Sequence, residues 1–157
     1  MGTVLESNLD IVSPEKRSRM MRGIRARDTK PEMLVRRFLH SRGFRFRLAP
    51  KDLPGRPDIV LPRHRVALFV HGCFWHGHTG CRYATTPATR TEFWTAKIAA
   101  NRLRDAAAEQ KLHALGWRVG TIWECALRKR REAALQEAAA FIASDRGSVD
   151  IEELARA

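Results

Sequence analysis

At 157 residues, 44% of them apolar and 29% charged, the chain has the size and composition of one globular domain with a core of its own. No apolar run approaches the roughly 20 residues of a membrane span, and no charged-then-apolar export signal opens the chain, so membrane and secreted classes are set aside and a cytoplasmic protein is expected. The formal net charge is +12, with 12 basic against 3 acidic residues between positions 14 and 50, and 2 basic against 6 acidic between 132 and 157. A polyanion such as nucleic acid suits that field, and so does a merely solubilising surface.

Residues 1–12 lack periodicity and are expected to be mobile. A single domain over 13–143 follows, and 144–157 reads as an acidic tail. Residues 14–27 (PEKRSRMMRGIRAR) are helical in composition and crowded with arginine. Met20, Met21 and Ile24 can pack there, while Lys16, Arg17, Arg19, Arg22 and Arg25 can meet phosphates. Thr29 and Glu32 have capping-box spacing with Pro31 near the first helical position, which predicts a helix start. Leu34, Val35, Phe38 and Leu39 give that helix one apolar face, and Gly43 ends it. Phe44 to Leu48 (FRFRL) alternates apolar and basic, which predicts a half-exposed strand.

Asp58 to Leu61 and Val66 to Val70 are two further short strands, joined by the turn Pro62-Arg63-His64-Arg65. A long helix is expected from Thr89, again spaced for a capping box with Glu92, to Leu115. Its packed side carries Trp94, Ile98, Ala108, Leu112 and Leu115, interrupted by Asn101 and Asp105. A strand over 117–123 and one closing helix over 126–143 complete the domain. Such an order predicts an α/β sandwich around a mixed sheet.

The densest chemistry lies in HGCFWHGHTGC, residues 71–81, directly after the apolar strand. Cys73, His78 and Cys81 form C-x4-H-x2-C, and Cys125 lies far along the chain at another strand end. An odd cysteine count argues against a disulfide framework. Three cysteines and a histidine suit a closed, tetrahedral structural zinc site, the other reading being three unrelated buried cysteines. His71 and His76 are left over. A loop stapled by metal would hold His76 as a general base, although satisfied structural histidines would look the same.

Asp58, in Gly55-Arg56-Pro57-Asp58, can hold Mg²⁺ through its carboxylate, or can simply open a strand. Pro-Asp before a β-hairpin resembles the metal-binding half of the PD-(D/E)xK nuclease pattern, but Phe69-Val70-His71 stands where the second half would lie. A histidine-based variant is therefore required. Glu32 is a candidate for the missing carboxylate, or is a helix cap alone. Phe74, Trp75 and Trp94 are either buried anchors or wedges that read DNA deformability.

Five stretches, RSRMMRGIRARDT, LPGRPDIV, VHGCFWHGH, PATRTEFW and GWRVGTIWECAL, together resemble the very short patch repair DNA mismatch endonuclease family. They occur in family order and span positions 13 to 131. The resemblance implies a restriction-endonuclease-like fold, a three-layer sandwich with helices flanking a central mixed sheet. It implies an enzyme that nicks one strand at a T:G mismatch left by deamination of 5-methylcytosine, and so starts short-patch repair. Asp58 resembles the catalytic magnesium ligand, with the Val70 backbone carbonyl beside it. His76 resembles the general base, His71 the histidine near the scissile phosphate, and Glu32 the acid that joins the metal shell through water. Cys73, His78, Cys81 and Cys125 resemble the structural zinc ligands. Phe74, Trp75 and Trp94 resemble the intercalating aromatics, and Met21 the residue that enters from the minor-groove side. The implied partner is double-stranded DNA with a T:G mismatch, bound by a monomer, with mismatch-repair proteins as candidate partners. Gly77 departs from the pattern, standing where the family carries another histidine, and the interval from His78 to Cys81 is one residue longer. Without the resemblance, a nuclease with another DNA substrate and a zinc-stabilised DNA-binding module both stay open.

Overall fold

A computed structural model describes residues 28–153. The expectations for residues 1–12 and for the Arg-rich stretch 14–27, Met21 included, lie outside them. The first described helix, α1 (Lys30–Ser41), starts as its sequence predicts. Thr29 is the N-cap and its hydroxyl oxygen accepts from the Glu32 N–H at 3.4 Å, while the Glu32 carboxylate accepts from the Thr29 hydroxyl and the Asp28 N–H. Val35 and Leu39 are buried, and Gly43, at φ +89°, turns the chain out of the helix.

Strands β1 (Arg47–Leu48), β2 (Ile59–Leu61) and β3 (Val66–His71) pair antiparallel in sequence order. Only the last two residues of the expected strand over 44–48 pair, because Phe44 and Phe46 pack against the core instead. A 3-10 turn (Pro62–His64) and Arg65, in the left-handed region at φ 56°, close the β2–β3 hairpin. Helix α2 (Thr91–Ala114) then crosses to β4 (Arg118–Trp123), which lies parallel to β3. Its register sets Val70 against Ile122 and His71 against Trp123.

Four expectations are corrected here. Thr89 does not cap α2: Arg90 occupies the cap in a left-handed conformation without a side-chain bond, and the Thr91 hydroxyl donates to the Pro87 and Ala88 carbonyls. Leu115, expected on the packed side, is 54% exposed, since α2 ends at Ala114 and the chain turns at Gly116. The single closing helix is two, α3 (Glu124–Lys129) and α4 (Arg131–Ala143), broken where Arg130 takes φ −145° and ψ 54°. The stretch expected as a separate acidic tail contributes β5 (Ser148–Ile151), parallel to β4.

Among the described residues the sheet runs β1-β2-β3-β4-β5, mixed in direction. One face carries Ile59, Leu61, Leu68, Ile122 and Ile151 against α1, α3 and α4. The other carries Ala67 and Val119 against Leu112 of α2. Helices thus cover both faces, and strand alternation divides the apolar side chains between two clusters. No described helix is long and apolar enough to cross a membrane.

Arg118 ties this frame together. Its guanidinium donates to the Phe141, Ile142 and Arg146 carbonyls, at 3.0–3.2 Å, and to the His64 carbonyl at 3.2 Å. It therefore closes the end of α4 and holds the β2–β3 turn. Arg118→Ala should destabilise the protein by about 2 kcal/mol in urea unfolding, and Arg118→Lys should recover only part, because an ammonium cannot fan over four carbonyls. An unchanged midpoint for Arg118→Ala would refute this role.

Candidate active site and metal centre

β3 ends at His71, and the chain then coils through short turns. The Gly72 carbonyl accepts from the His76 N–H at 3.2 Å, and the Cys73 carbonyl from the His78 N–H at 3.0 Å. The coil presses on α2. At Gly77, φ is +60°, and an added Cβ would lie 2.5 Å from Ile98 Cγ2 and 2.8 Å from Arg102 Cδ. A side chain there would have to push the loop off the helix, so this position is reserved for glycine.

Cys73, His78, Cys81 and Cys125 converge, with ligand atoms within 4.8 Å of one another. The sequence placed Cys125 at a strand end; it is the second residue of α3, directly past β4. Parallel pairing brings that end beside the end of β3. His78 Nδ1 lies 3.5 Å from Cys125 Sγ, close to the ~3.6 Å edge that a tetrahedral ion with ordinary Zn–S and Zn–N bonds would set. The Cys125 N–H donates to Cys73 Sγ at 3.4 Å. Burial pushes both the Cys73 and the Cys125 thiols up, so a cation is what would bring out their thiolates. This donor set can hold a metal with no position left for water.

On the other side of the loop lies an open cavity of about 750 Å³, whose lining includes Glu32, Asp58, His71, His76, Asp105 and Trp75. All four residues expected to be catalytic meet there. Asp58 Oδ2 accepts from the Val70 N–H at 2.7 Å, so it is the amide of Val70 that meets this carboxylate. Burial raises the Asp58 pKa to about 7; the Val70 N–H opposes that rise, Glu32 adds to it, and His76 and Arg36 reduce it. Glu32 is 3% exposed, and Arg36 donates to it at 3.0 Å. Cap and pocket carboxylate are therefore the same group.

His76 Nδ1 lies 2.6 Å from Asp105 Oδ2. A carboxylate acceptor there keeps the proton on Nδ1 and leaves the Nε2 lone pair to act as a base. His71 stacks on His76 with ring centroids 3.7 Å apart and planes 2° from parallel. Burial, aided by His76, lowers the His71 pKa to about 3, which keeps that ring neutral in the stack. His71, His76 and Asp105 are close enough to suggest an ion. Face-to-face rings hold their lone pairs in parallel planes, however, and cannot converge on one centre. The trio is therefore better built as a base and its support than as a ligand set.

Asp105 was not singled out from sequence, although a signal was present. Asn101 and Asp105 interrupt the apolar stripe of α2 one turn apart, and both face the loop: Asn101 Nδ2 donates to the Trp75 carbonyl at 2.8 Å. Glu124, which also lines the cavity, was missed as well. Phe74, Trp75 and Trp94 form one cluster, with centroids 5.3–5.7 Å apart, and all three are half-buried. Phe93, 45% exposed, packs on Trp94.

A carboxylate pair, a histidine–aspartate dyad and a rim of aromatic rings in one open cleft of an α/β sandwich define a hydrolytic site of the nuclease class. The family model described as DNA mismatch endonuclease Vsr matches residues 9–82. The type II nicking enzyme V.XorIIP of Xanthomonas oryzae pv. oryzae is 55% identical over 118 residues, which cover 75% of this chain and 86% of that protein. DNA mismatch endonuclease Vsr of Escherichia coli (strain K12) is 46% identical over 123 residues, covering 78% of each chain. The type II nicking enzyme V.NmeAIP of Neisseria meningitidis serogroup A is 44% identical over 121 residues, covering 77% and 86%. The chain belongs to the Vsr DNA mismatch endonuclease family and is a DNA endonuclease.

Asp58 makes stability depend on pH. An unfolded aspartate ionises near pH 4, whereas the folded one holds its proton to about 7. Between those values the native state binds more protons, so stability falls as pH rises and the full penalty stands above 7. Asp58→Asn should therefore raise the Tm at pH 8 in magnesium-free buffer and leave it unchanged near pH 4. An equal shift at both pH values would exclude this origin.

Proposed function

We propose that the protein nicks one strand of double-stranded DNA at T:G mismatches left by deamination of 5-methylcytosine, in a Mg²⁺-dependent reaction that starts very short patch repair. The observation that carries this reading is a shared cavity: Asp58 and the His76–Asp105 pair face the same space, rimmed by Phe74 and Trp75. In this reading Asp58 and the Val70 carbonyl would hold the ion, and Glu32 would support it through water. When bound, Mg²⁺ supplies positive charge against the negative charge that develops on the phosphate. His76 Nε2 takes the proton of the attacking water. Asp105 is a positioning residue that holds the ring and stabilises its cationic form. His71 lies beside the scissile phosphate. Phe74, Trp75 and Trp94 enter the base stack at the weakened pair, which deforms most cheaply, and Met21 enters from the opposite side. Arginines of the N-terminal stretch grip phosphates and fix register.

The Cys73, His78, Cys81 and Cys125 set is read as a structural zinc site that staples the loop carrying His76 to the end of β4. The whole is read as a restriction-endonuclease-like domain that acts as a monomer, with mismatch-repair proteins as candidate partners.

The test is nicking of a labelled duplex with one T:G pair in a methylation-site context, beside its T:A control, with and without Mg²⁺. A nick confined to the T strand of the mismatch and absent without Mg²⁺ is expected. Asp58→Ala should abolish it while leaving binding intact. His76→Ala should slow it by about 10²–10⁴-fold, and Asp105→Asn by about 10²-fold with an altered pH–rate profile. Equal cleavage of T:A and T:G duplexes, or full activity of Asp58→Ala, would overturn the proposal.

A further inference from the structure

The acidic residues at the end of the described chain surround the Cys/His centre. Glu152 follows β5 directly. Its Oε1 lies 2.7 Å from His78 Nε2, with the two side chains only 12% and 7% exposed. The Glu153 carboxylate pairs with Arg82, the residue after Cys81. Asp150, on β5 itself, accepts from Trp123 Nε1 at 2.9 Å, and the Trp123 ring stacks on His78 at 4.0 Å with planes 3° apart. The segment is itself anchored: the Glu152 carbonyl accepts from Arg130 Nε at 2.6 Å, and Arg130 pairs with Glu137 of α4 at 3.0 Å.

We infer that Glu152 is a positioning residue for the metal centre, which it closes from the C-terminal strand by fixing His78 with its proton on Nε2 and its lone pair on Nδ1, facing the cysteines. The inference rests on the zinc reading given above. A neutral imidazole has two tautomers, and only this one offers Nδ1 as a ligand. The other would aim an N–H at Cys125 Sγ, 3.5 Å away. A carboxylate at Nε2 selects the ligating form and makes Nδ1 more basic. Trp123, held by Asp150, sets the plane in which that lone pair lies. Glu152 thus acts on tautomer and charge, and Trp123 on orientation.

This arrangement also gives the acids at positions 150–153 a role within a basic chain. Asp150, Glu152 and Glu153 each hold one element of the centre: the ring beneath His78, the far nitrogen of His78, and the arginine beside Cys81.

The experiment follows zinc release from the purified full-length protein to a chromophoric chelator, together with the visible spectrum of the Co²⁺-substituted form. Wild type, Glu152→Ala, Glu152→Gln and the remote exposed control Asp145→Ala are compared. Wild type should hold one zinc per chain, and its cobalt spectrum should show a four-coordinate site with thiolate and imidazole ligands. Glu152→Ala should release zinc about 10–100-fold faster and change the cobalt d–d bands, because His78 no longer presents one nitrogen. Glu152→Gln keeps an acceptor oxygen without the charge, so its spectrum should resemble wild type and its release rate should fall between the two. Asp145→Ala should match wild type. Should the alanine variant fail to fold, the glutamine variant decides, and wild-type release from it overturns the inference. So does a Glu152→Ala protein with wild-type release and spectrum. If wild type itself holds no zinc, the zinc reading fails, which is distinct from a zinc centre indifferent to Glu152.

Discussion

The parallel pairing of β3 with β4 is the constraint on which both centres depend, because its register sets His71 against Trp123 at the same end of the sheet. The loop of residues 72–81 and the start of α3 leave from adjacent strand ends, so Cys125 meets Cys73, 52 positions away in sequence, without a long connection. The same edge offers Asp58, since β2 pairs with β3 and the Val70 N–H donates to its carboxylate. One hydrogen-bonded ladder therefore fixes the relative position of a metal donor set, an acidic pocket and a base. Strand ends suit this role because the ladder behind them is rigid and buried. The loop adds little stiffness of its own, being a chain of short turns that α2 supports from one side.

The two centres share an electrostatic signature. Asp58 and the cysteines are acids whose neutral forms are favoured by burial. In each case the chain holds acidic groups together at a cost that a cation would remove. A buried carboxylate beside Glu32, supported by the Val70 amide, His76 and Arg36, is poor as a purely structural feature and is of the kind that a cation would stabilise. The overall positive charge does not contradict this. Glu32, Asp58, Asp105 and Glu124 line the cleft of a chain whose formal net charge is +12.

Much of this was legible in the sequence where local chemistry decides the outcome. The cap of α1 follows from Thr29 and Glu32, the hairpin from two apolar runs separated by a proline turn, and the donor set from cysteine and histidine spacing. The misses have physical reasons. Thr89 had the right spacing for a cap, but Arg90 turns left-handed and moves the helix start past it. The break at Arg130 carries neither glycine nor proline, and the structure shows its geometry without a local reason for it. β5 alternates buried Val149 and Ile151 with exposed Ser148 and Asp150, a period-two pattern hidden by the acidic residues around it. Asp105 looked like a fault in an amphipathic stripe. It is the contact between that helix and the loop, which only tertiary geometry reveals.

Helix α2 also works as a ruler. Trp94, Asn101 and Asp105 all face the loop from one unbroken helix, with the aromatic cluster near its start and the dyad near its middle. Eleven residues separate Trp94 from Asp105, which at the α-helical rise is roughly 16 Å of rod. The span between the aromatic cluster and the His76–Asp105 pair is thus stored as a residue count. Adding or removing one residue in this stretch would swing Asp105 by about 100° around the axis and strip His76 of its partner.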